Sequence, residues 1–434
     1  MQQVNLGIIG GGTVGSGVFD ALRQNGGLMA SRLGVRLQIA RVAVRDPGKI
    51  RAAKIPAALL TNNWRSVVSH PEVNLVAELV GGTTVAREVV LTALRLGKPV
   101  VTANKALLSA HGEELFAAAE KSGTNIYYEA SVAGGIPIIK ALREGFVGNR
   151  IDALYGIVNG TCNYILTRMK LEGADFAAVL ADAQRLGYAE TPPDLDIDGH
   201  DAAHKTGILA SLAHGFWVKP RSIHVEGIRH VSALDIKFAG ELGYTIKLLG
   251  IVKTLPRAGR IQVSVYPTLI PNAHVLASVN HAFNAVFVRG DIAGDSLFYG
   301  RGAGKEATAS AVLSDLADAA LDLKFGTCHR LPPFVPHAGA GVVAPIAEVV
   351  SQYFVRLNVT DKPGVLARVA TIFGRANIGI SSVIQPEGHE GKSVPLIFML
   401  HYATNGAVKQ ALNQIARLPA IKARPVMLRV ESFD

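Results

Sequence analysis

Residues 4–20 read Val4-Asn5-Leu6-Gly7-Ile8-Ile9-Gly10-Gly11-Gly12-Thr13-Val14-Gly15-Ser16-Gly17-Val18-Phe19-Asp20, an apolar strand that runs into a Gly-x-Gly-x-x-Gly turn. Gly10 permits a tight turn, Gly12 leaves room for a pyrophosphate beside bare backbone, and Gly15 lets the next helix pack close to the strand. The pattern predicts a dinucleotide site at a helix N-terminus, although a generic glycine-rich turn is the alternative. The turn residues assigned to the cofactor are Gly10, Gly12, Thr13, Val14 and Gly15.

The end of the second predicted strand indicates which dinucleotide the site takes. Residues 39–44 lead into Arg45, where an NAD-selective site usually carries an acidic residue for the ribose 2′-hydroxyl. A guanidinium at this place suits a 2′-phosphate, and Lys49 and Arg51 add positive charge nearby. A solvated basic loop would have the same composition, and Asp46 keeps NAD use possible. The sequence therefore favours NADP, with NAD as the alternative.

Length and composition describe an ordinary globular chain. Its 434 residues are 49% hydrophobic, which is enough for a large core and two to four domains. The net charge of +10 is spread without a basic run, which argues against nucleic acid and suits small anions. No stretch of about 18 apolar residues is present, so we expect no membrane span. The two cysteines, Cys162 and Cys328, lie far apart, which fits a reducing cytoplasm.

Strands and helices alternate through the first third of the chain, which predicts an α/β fold with a Rossmann-type doubly wound parallel sheet. We assign residues 1–132 to this domain, completed by a helix at about 302–321. Residues 133–301 form a second α+β domain for catalysis and dimerisation. Residues 322–351, rich in proline and glycine, form a linker.

Residues 352–434 show the order βαββαβ, with a hairpin turn at 388–391, and we expect this unit to fold independently. In the Rossmann part, polar and glycine residues end several strands. By the switch-point rule they should lie near a ligand. These residues are Gly81, Gly82, Thr102, Asn104, Lys105 and Glu129.

The segment 187–205 concentrates acidic residues. Asp194, Asp196 and Asp198 have the spacing of a calcium loop, but Lys205 stands where that loop needs a glutamate. His200 and His204 are four residues apart, as in a zinc site, yet the glutamate of that motif and a third ligand are missing. Neither metal site is favoured.

A different interpretation puts Asp201 and Lys205 one turn apart on a helix, with Glu190 and Asp196 on the preceding loop. In a cleft, the lysine would serve as acid or base for a carbonyl/alcohol couple and the carboxylates would bind an ammonium group. An exposed ion pair is the alternative. The pattern favours a dehydrogenase that acts on an amino-acid alcohol or aldehyde.

Six separated stretches closely resemble the homoserine dehydrogenase family. They are residues 10–15, 101–105 (Val-Thr-Ala-Asn-Lys), 129–137 (Glu-Ala-Ser-Val-Ala-Gly-Gly-Ile-Pro), 159–165 (Asn-Gly-Thr-Cys-Asn-Tyr-Ile), 186–190 (Leu-Gly-Tyr-Ala-Glu) and 201–205 (Asp-Ala-Ala-His-Lys). The resemblance covers essentially the whole chain, and the C-terminal unit looks like the ACT domain that this family often carries. It implies NAD(P)-linked interconversion of L-homoserine and L-aspartate 4-semialdehyde in threonine and methionine biosynthesis.

The resemblance also implies roles for individual residues. Lys205 would be the acid/base with Asp201 as its polar neighbour, Glu190 and Asp196 would hold the substrate, and Lys105 would contact both cofactor and substrate. Further cofactor contacts would be Thr102 and Gly302. Glu129 with the carbonyls of Val132, Gly134 and Ile136 would bind a monovalent cation, usually sodium; an ordinary strand end is the alternative.

The ACT-like unit predicts regulation by an amino-acid effector. Effector amino acids bind such units near the first strand–helix turn and the end of the first helix, which here are Asp361, Gly364, Asn377 and Ile378. An Asx turn at Asp361 and a helix C-cap at Asn377 are the alternatives. We expect threonine as the effector and a homodimer or homotetramer. Another amino-acid dehydrogenase, or an ACT-type amino-acid sensor with a vestigial dehydrogenase core, remains open at this point.

Overall fold

The computed structural model describes residues 1–256, 259–327, 330–337, 341–386 and 393–433. Cys328 and the hairpin turn expected at 388–391 lie outside these ranges. The strands are β1 Gln2–Ile9, β2 Val35–Ala43, β3 Leu60–Thr61, β4 Leu75–Glu78, β5 Val100–Thr102, β6 Ile126–Tyr127, β7 Ile151–Ile157, β8 His224–Val225, β9 Tyr244–Thr254, β10 Arg260–Pro271, β11 Phe283–Gly290, β12 Gly294–Arg301, β13 Val342–Val343, β14 Val350–Thr360, β15 Ile380–Ile384, β16 Ser393–Thr404 and β17 Val426–Val430.

The helices are α1 Thr13–Leu33, α2 Trp64–Val68, α3 Thr84–Arg95, α4 Lys105–Lys121, α5 Ile138–Lys140, α6 Gly160–Glu172, α7 Phe176–Arg185, α8 Asp194–Ile197, α9 His200–His214, α10 Ala233–Glu241, α11 Lys305–Phe325, α12 Val365–Arg375 and α13 Asn405–Ile415. Two compact units share the chain. The first comprises residues 1–158, 204–221 and 283–341, and the second comprises residues 159–203, 222–282 and 342–434. Our division at residues 132, 301 and 351 stays a prediction about domains.

The first unit contains a fully parallel sheet in the order β3-β2-β1-β4-β5-β6. This is the strand order of a Rossmann sheet, and it confirms the expected fold class. Its core joins Leu6 and Ile8 of β1 to Val18 of α1 and Val312 of α11. The helix predicted at about 302–321 therefore does pack on the nucleotide domain. The same unit carries an antiparallel set, β7-β11-β12.

The second unit is built on a mixed sheet in the order β9-β10-β17-β14-β16-β15. The C-terminal strands and helices follow one another as β14, α12, β15, β16, α13 and β17, which confirms the βαββαβ order. Their shared core includes Val369 and Phe373 of α12, Phe398 of β16 and Leu412 of α13. These residues are apolar at helical or alternating spacing, so one face of each element is buried.

The C-terminal part shares its sheet with an earlier segment of the chain. β17 pairs in parallel with β10 (Thr268 with Arg429 and Leu269 with Val430), and residues 342–434 cluster with 222–282 in one compact unit. The sheet is continuous through this pair, and independent folding of residues 352–434 stays a prediction. A strand pairing between distant segments leaves no local signal in the sequence.

Local contacts set the ends of several elements. α4 begins at Lys105, because Asn104 caps it by accepting from the Leu107 N–H at 3.1 Å. β6 comprises only Ile126–Tyr127, since a 3₁₀ turn follows at Glu129–Ser131. α11 extends to Phe325, where Gly326 adopts the left-handed conformation that ends a helix. Among the described residues, no helix has the length and hydrophobicity needed to cross a bilayer.

Candidate active site

A cavity of about 850 Å³ lies at the carboxyl ends of β1 and β4, where the strand order of the parallel sheet reverses. Gly10, Gly12, Thr13 and Arg45 line it, as the sequence predicts. A Cβ on Gly12 would have no heavy atom within 4 Å, so the space over this backbone is open. Open backbone at a helix N-terminus is the arrangement that receives a pyrophosphate.

Gly10 and Gly15 are required by packing. Gly10 has φ +111°, and a Cβ there would lie 2.4 Å from the Leu79 carbonyl oxygen. A Cβ on Gly15 would lie 2.0 Å from the Gly10 carbonyl oxygen, which is why α1 can approach the turn so closely. Gly15 and Val14 do not line the cavity; Gly15 shapes it from behind.

The far end of the cavity is basic. Arg45, Lys49 and Arg51 all line it. Arg51 donates to the carbonyls of Lys49 at 2.6 Å and Pro47 at 3.2 Å, so it orders the loop after β2. Asp46 also lines the cavity, and its carboxylate accepts from the Gly48 N–H at 2.8 Å. Arg45 and Lys49 are exposed side chains on this loop and carry the positive charge that a phosphate would meet.

Thr102 lies behind the cavity wall. Its hydroxyl donates to Glu78 Oε2 at 2.7 Å, while Glu78 Oε1 accepts from the N–H groups of Val80 and Gly81. Burial raises the pKa of Glu78. Asn104 donates to the Gly82 carbonyl at 2.7 Å. The two strand-end residues predicted from the sequence thus hold the loop after β4, which lines the cavity.

Lys105 and Gly302 are also absent from the cavity lining. Lys105 is the first residue of α4 and is half-buried. A Cβ on Gly302 would lie 1.9 Å from Asn284 Cγ, so a glycine is needed there for packing. The structure therefore gives Gly302 a close-packing role and offers no contact to the nucleotide cavity at this residue.

The acidic loop is organised from the start of α6. Asn159 Nδ2 donates to Asp196 Oδ1 at 2.8 Å and to Asp201 Oδ2 at 2.9 Å. Thr161 Oγ1 donates to the Tyr188 carbonyl at 2.6 Å and lies 3.3 Å from Asp196 Oδ2. Asn159 Oδ1 meanwhile caps α6 by accepting from the Cys162 N–H at 2.8 Å. One asparagine thus ties a helix terminus to both carboxylates.

The outer acids of the same loop have a different partner. Arg229 forms ion pairs with Asp194 and Asp198, including a hydrogen bond of 3.0 Å to Asp198 Oδ2. These hydrogen bonds lower the pKa of Asp198. The three aspartates with calcium-like spacing therefore have separate partners. Asp194 and Asp198 bind Arg229, whereas Asp196 binds Asn159.

Lys205 lies on α9, one turn after Asp201, and only 8% of its surface is exposed. Its ammonium donates to the Val158 carbonyl oxygen at 2.7 Å, which fixes the end of the side chain. Glu190, by contrast, is exposed on the loop before α8, and its backbone carbonyl accepts from Gln184 Nε2 at 3.2 Å. Lys205 is therefore a buried amine and Glu190 an accessible carboxylate.

Glu129 is a buried carboxylate at the end of the parallel sheet. Its two oxygens accept from the N–H groups of Ile139 and Lys140 at 2.8 Å each, and burial raises its pKa to about 7. The chain between them turns through Ala133 and Gly134, both at positive φ. Hard oxygen donors suit a monovalent or alkaline-earth cation. The Ile136 carbonyl, predicted as a sodium ligand, accepts from the Ile138 N–H at 2.8 Å, and the sodium site stays a prediction.

The ACT-like unit has its own cavity of about 480 Å³ at the N-terminus of α12. Asp361 and Gly364 line it, and Asp361 Oδ1 accepts from Gln385 Nε2 at 3.1 Å. Asn377 and Ile378 do not line it. Asn377 ends α12 at φ 55°, and Ile378 is buried in the core with its N–H on the Phe373 carbonyl. The C-cap alternative is thus the observed geometry of Asn377.

Comparison with known proteins agrees with this arrangement. Residues 10–129 match the NAD-binding domain family of homoserine dehydrogenase, residues 137–317 match the homoserine dehydrogenase family, and residues 355–422 match the AHAS small subunit-like ACT domain. A homoserine dehydrogenase from Pseudomonas aeruginosa is 42% identical over 438 residues, which span 100% of each chain. The chain belongs to the homoserine dehydrogenase family. Its function is that of a homoserine dehydrogenase, an oxidoreductase, which sets aside a different amino-acid dehydrogenase.

Solved homoserine dehydrogenase structures extend the match to the fold. The crystal structure of one from Thiobacillus denitrificans is similar with a TM-score of 0.92 and 41% identity, covering 100% of this chain and 99% of that one. A hyperthermophilic archaeal homoserine dehydrogenase in complex with NADPH is similar with a TM-score of 0.63 and 26% identity. It covers 74% of this chain and 98% of that chain.

Two residues of this homoserine dehydrogenase site were not assigned a role from the sequence. Asn159 binds Asp196 and Thr161 lies 3.3 Å from it, yet in the sequence they were noted only as part of a motif. The available signal was an Asn-Gly-Thr start to a helix, which is typical of an N-cap. That signal predicts the cap but not the second bond, because the acids it reaches are 37 and 42 residues away.

Proposed function

We propose that the chain interconverts L-homoserine and L-aspartate 4-semialdehyde with NADP as its preferred cofactor, in threonine and methionine biosynthesis. The observation that carries the cofactor preference is the basic end of the 850 Å³ cavity, where Arg45 and Lys49 are exposed. A guanidinium forms two charge-assisted hydrogen bonds with the 2′-phosphate of NADP. The 2′-hydroxyl of NAD cannot form this pair of bonds. The archaeal relative in complex with NADPH supports the same choice.

The residues of the chain have separate roles in this reaction. Gly10, Gly12 and Thr13 hold the dinucleotide, whose nicotinamide accepts and returns the hydride. Lys205 exchanges a proton with the C4 oxygen of homoserine. Its hydrogen bond to the Val158 carbonyl holds the buried amine in one position, as proton transfer requires. Asp201 stays its polar neighbour on α9.

Substrate binding falls to the acidic loop. Glu190 and Asp196 hold the α-ammonium of homoserine, and Lys105 contacts both substrate and cofactor. Asp196 is suited to this role because Asn159 Nδ2 holds one of its oxygens by a hydrogen bond of 2.8 Å. A preorganised carboxylate loses little freedom when the substrate binds.

A monovalent cation, most simply sodium, binds Glu129 and the carbonyls of Val132, Gly134 and Ile136 in this proposal. The support is a buried carboxylate followed by two consecutive residues at positive φ, which turn the carbonyls of a short loop. A cation there favours the ionised form of Glu129, which burial alone disfavours.

Threonine inhibits the enzyme by binding the cavity at Asp361 and Gly364. The N-terminal N–H groups of α12 suit the carboxylate of an amino acid, and Asp361 suits its ammonium. Inhibition requires that threonine bind the inhibited state more tightly than the active one. We place the enzyme in the cytoplasm as a homodimer or homotetramer; the edge strand β12 exposes Leu297 and Tyr299, which a second copy would cover.

One assay tests these assignments together. Homoserine oxidation is followed at the nicotinamide absorbance with NADP or NAD, with sodium or choline chloride, and with or without threonine. We expect a higher kcat/KM with NADP, a requirement for sodium and inhibition at millimolar threonine. Equal kcat/KM for both cofactors would contradict the NADP proposal, and unchanged rates with threonine would contradict the effector proposal.

A further inference from the structure

A second cavity in the second unit, of about 950 Å³, lies between the C-terminal α13–β17 segment and the loop 226–231. We call it the α13 cavity. It shares no lining residue with the smaller cavity at Asp361 and Gly364. It is therefore separate from the site proposed above for threonine.

Most of the charged side chains that line the α13 cavity are basic. Four basic side chains and one carboxylate line it, namely His230, Arg356, Lys409, Arg424 and Glu226. Two of the five are already neutralised. Arg356 binds Asp235 through hydrogen bonds of 2.6 and 3.0 Å, and Glu226 accepts from Arg429 at 2.7 and 3.0 Å.

Glu226 stays ionised in this setting. Burial alone would raise its pKa, but hydrogen bonds from His224 and Arg429 outweigh burial and hold the pKa far below its ordinary value. Lys409 approaches Glu226 only at 3.7 Å, and Lys409 and Arg424 are both exposed on the cavity rim. The positive charge left over at the cavity is that of Lys409 and Arg424, with His230 beside them.

Apart from Asn413, the rest of the lining is apolar. Leu412 of α13 and Val426, Met427 and Leu428 of β17 form one wall, together with Pro267 of β10. A pocket that is basic at one side and apolar at the other fits an organic anion with a hydrocarbon body. A bare inorganic anion would leave the apolar wall without a partner.

Loop 226–231, which closes the α13 cavity, is bound to the acidic loop that contains Asp196. The Ile228 N–H donates to the Ile197 carbonyl at 2.8 Å, and Arg229 pairs with Asp194 and Asp198 on either side of α8. A Cβ on Gly227 would lie 2.2 Å from the Ile197 carbonyl oxygen, so the two backbones are in direct contact. A displacement of loop 226–231 therefore moves α8, which carries Asp196.

We propose that the α13 cavity binds a small organic anion, with its carboxylate or phosphate on Lys409 and Arg424 and its apolar body against Leu412 and Met427. Its occupation changes homoserine binding through loop 226–231 and α8. This second half rests on the role proposed for Asp196. The first half does not depend on the dehydrogenase activity.

Calorimetry on the full chain, saturated with NADP, tests binding. The probes are hexanoate, hexyl phosphate and neutral hexanol, so that the two anions distinguish carboxylate from phosphate. We expect at least one anion to bind, hexanol to bind at least tenfold more weakly, and Lys409→Met/Arg424→Gln to weaken the anion at least tenfold. The matched control is Lys422→Met/Arg417→Gln, which removes the same charges from exposed residues outside the cavity. Absence of binding by both anions, or equal affinity in the two double variants, overturns the site.

Steady-state kinetics test the coupling. We expect the binding anion to change the KM for homoserine at least twofold and to leave the KM for NADP unchanged. In Arg229→Gln, the anion should still bind by calorimetry but lose its effect on homoserine. An undiminished effect in Arg229→Gln overturns the coupling. If the chain does not oxidise homoserine at all, the proposed function fails, while the calorimetry still decides whether the cavity binds anions.

Discussion

Lys205 is the residue on which the proposed chemistry depends. Its amine is buried and donates to a backbone carbonyl, so it is held in place by a group that carries no charge. We expect Lys205→Ala to lower kcat by about 10²- to 10⁴-fold, the usual contribution of a general acid or base. The affinity for NADP should stay unchanged, because the residue does not line the nucleotide cavity. Stopped-flow turnover and NADP titration check both, with the exposed Lys422→Ala as control; near-normal turnover in a folded variant would exclude the role.

Arg45 is the residue proposed to decide between NADP and NAD. If its guanidinium binds the 2′-phosphate, Arg45→Ala should weaken NADP by about 1.5 to 3 kcal/mol, the range of a hydrogen bond to a charged group. NAD affinity should change little. Arg36→Ala, an exposed arginine on β2 outside the cavity, is the matched control. Fluorescence titration with both cofactors measures this, and equal losses for NADP and NAD would assign Arg45 a structural role.

Lys247 is a buried amine that has no role in the proposed reaction. Its ammonium donates to Asn163 Oδ1 at 3.0 Å, Asn280 Oδ1 at 3.2 Å and the Val279 carbonyl, and burial lowers its pKa to about 7. The unfolded chain therefore binds more protons between pH 7 and its ordinary pKa of 10.5, so stability rises with pH across this window and is lost as pH falls through about 7.

Lys247→Met should remove this dependence. Between about pH 7.5 and 9, we expect the free energy of unfolding of the unsubstituted chain to gain about 1–2 kcal/mol more than that of the variant. Urea unfolding at several pH values measures the difference, and the exposed Lys237→Met serves as control. Parallel pH profiles for all three proteins would show that Lys247 does not titrate in this range.

At the scale of elements, one helix terminus does two things. Asn159 caps α6 and also holds Asp196 and Asp201. Asn159→Ala should cost about 1 kcal/mol of stability as a lost cap, and it should also raise the KM for homoserine. Asn63→Ala, which removes the cap of α2, should cost a similar stability but leave that KM unchanged at saturating cofactor. Equal kinetic behaviour of the two variants would contradict the second role of Asn159.

The elements also explain what the sequence could predict. The order of β1, the glycine turn and α1 follows from local pattern, and so does the βαββαβ order, because periodicity and turn residues are local signals. The acidic loop and Lys205 were identified from spacing along the chain. The hydrogen bonds of Asn159 to Asp196 and of Arg229 to Asp194 join residues more than 30 positions apart. No local sequence pattern predicts such bonds.

At the scale of the whole molecule, the main feature is the pairing of β17 with β10, two strands that are far apart in the sequence. The sequence predicts that residues 352–434 stand apart behind a linker, but the structure continues the β9–β10 sheet directly into β17. Charges reinforce the pairing: Arg429 binds Glu226, and Glu431 binds Lys253 of β9 at 2.5 Å. The ACT-like part is thus joined by backbone hydrogen bonds and ion pairs to β9 and β10.

Truncation after Leu331 tests this integration. Removing the C-terminal part would leave Glu226 without Arg429 and would expose the edge of β10, and a half-buried carboxylate and an open strand edge are both destabilising. We therefore expect the truncated chain to aggregate or to melt at least 10 °C lower, rather than to remain a competent enzyme. Differential scanning calorimetry and size-exclusion chromatography measure this. The control is the full chain with Arg375→Ala, an exposed residue at the end of α12, which should melt normally. A monodisperse truncated protein with full turnover would instead mean that β10 does not need β17, and that the two parts fold separately.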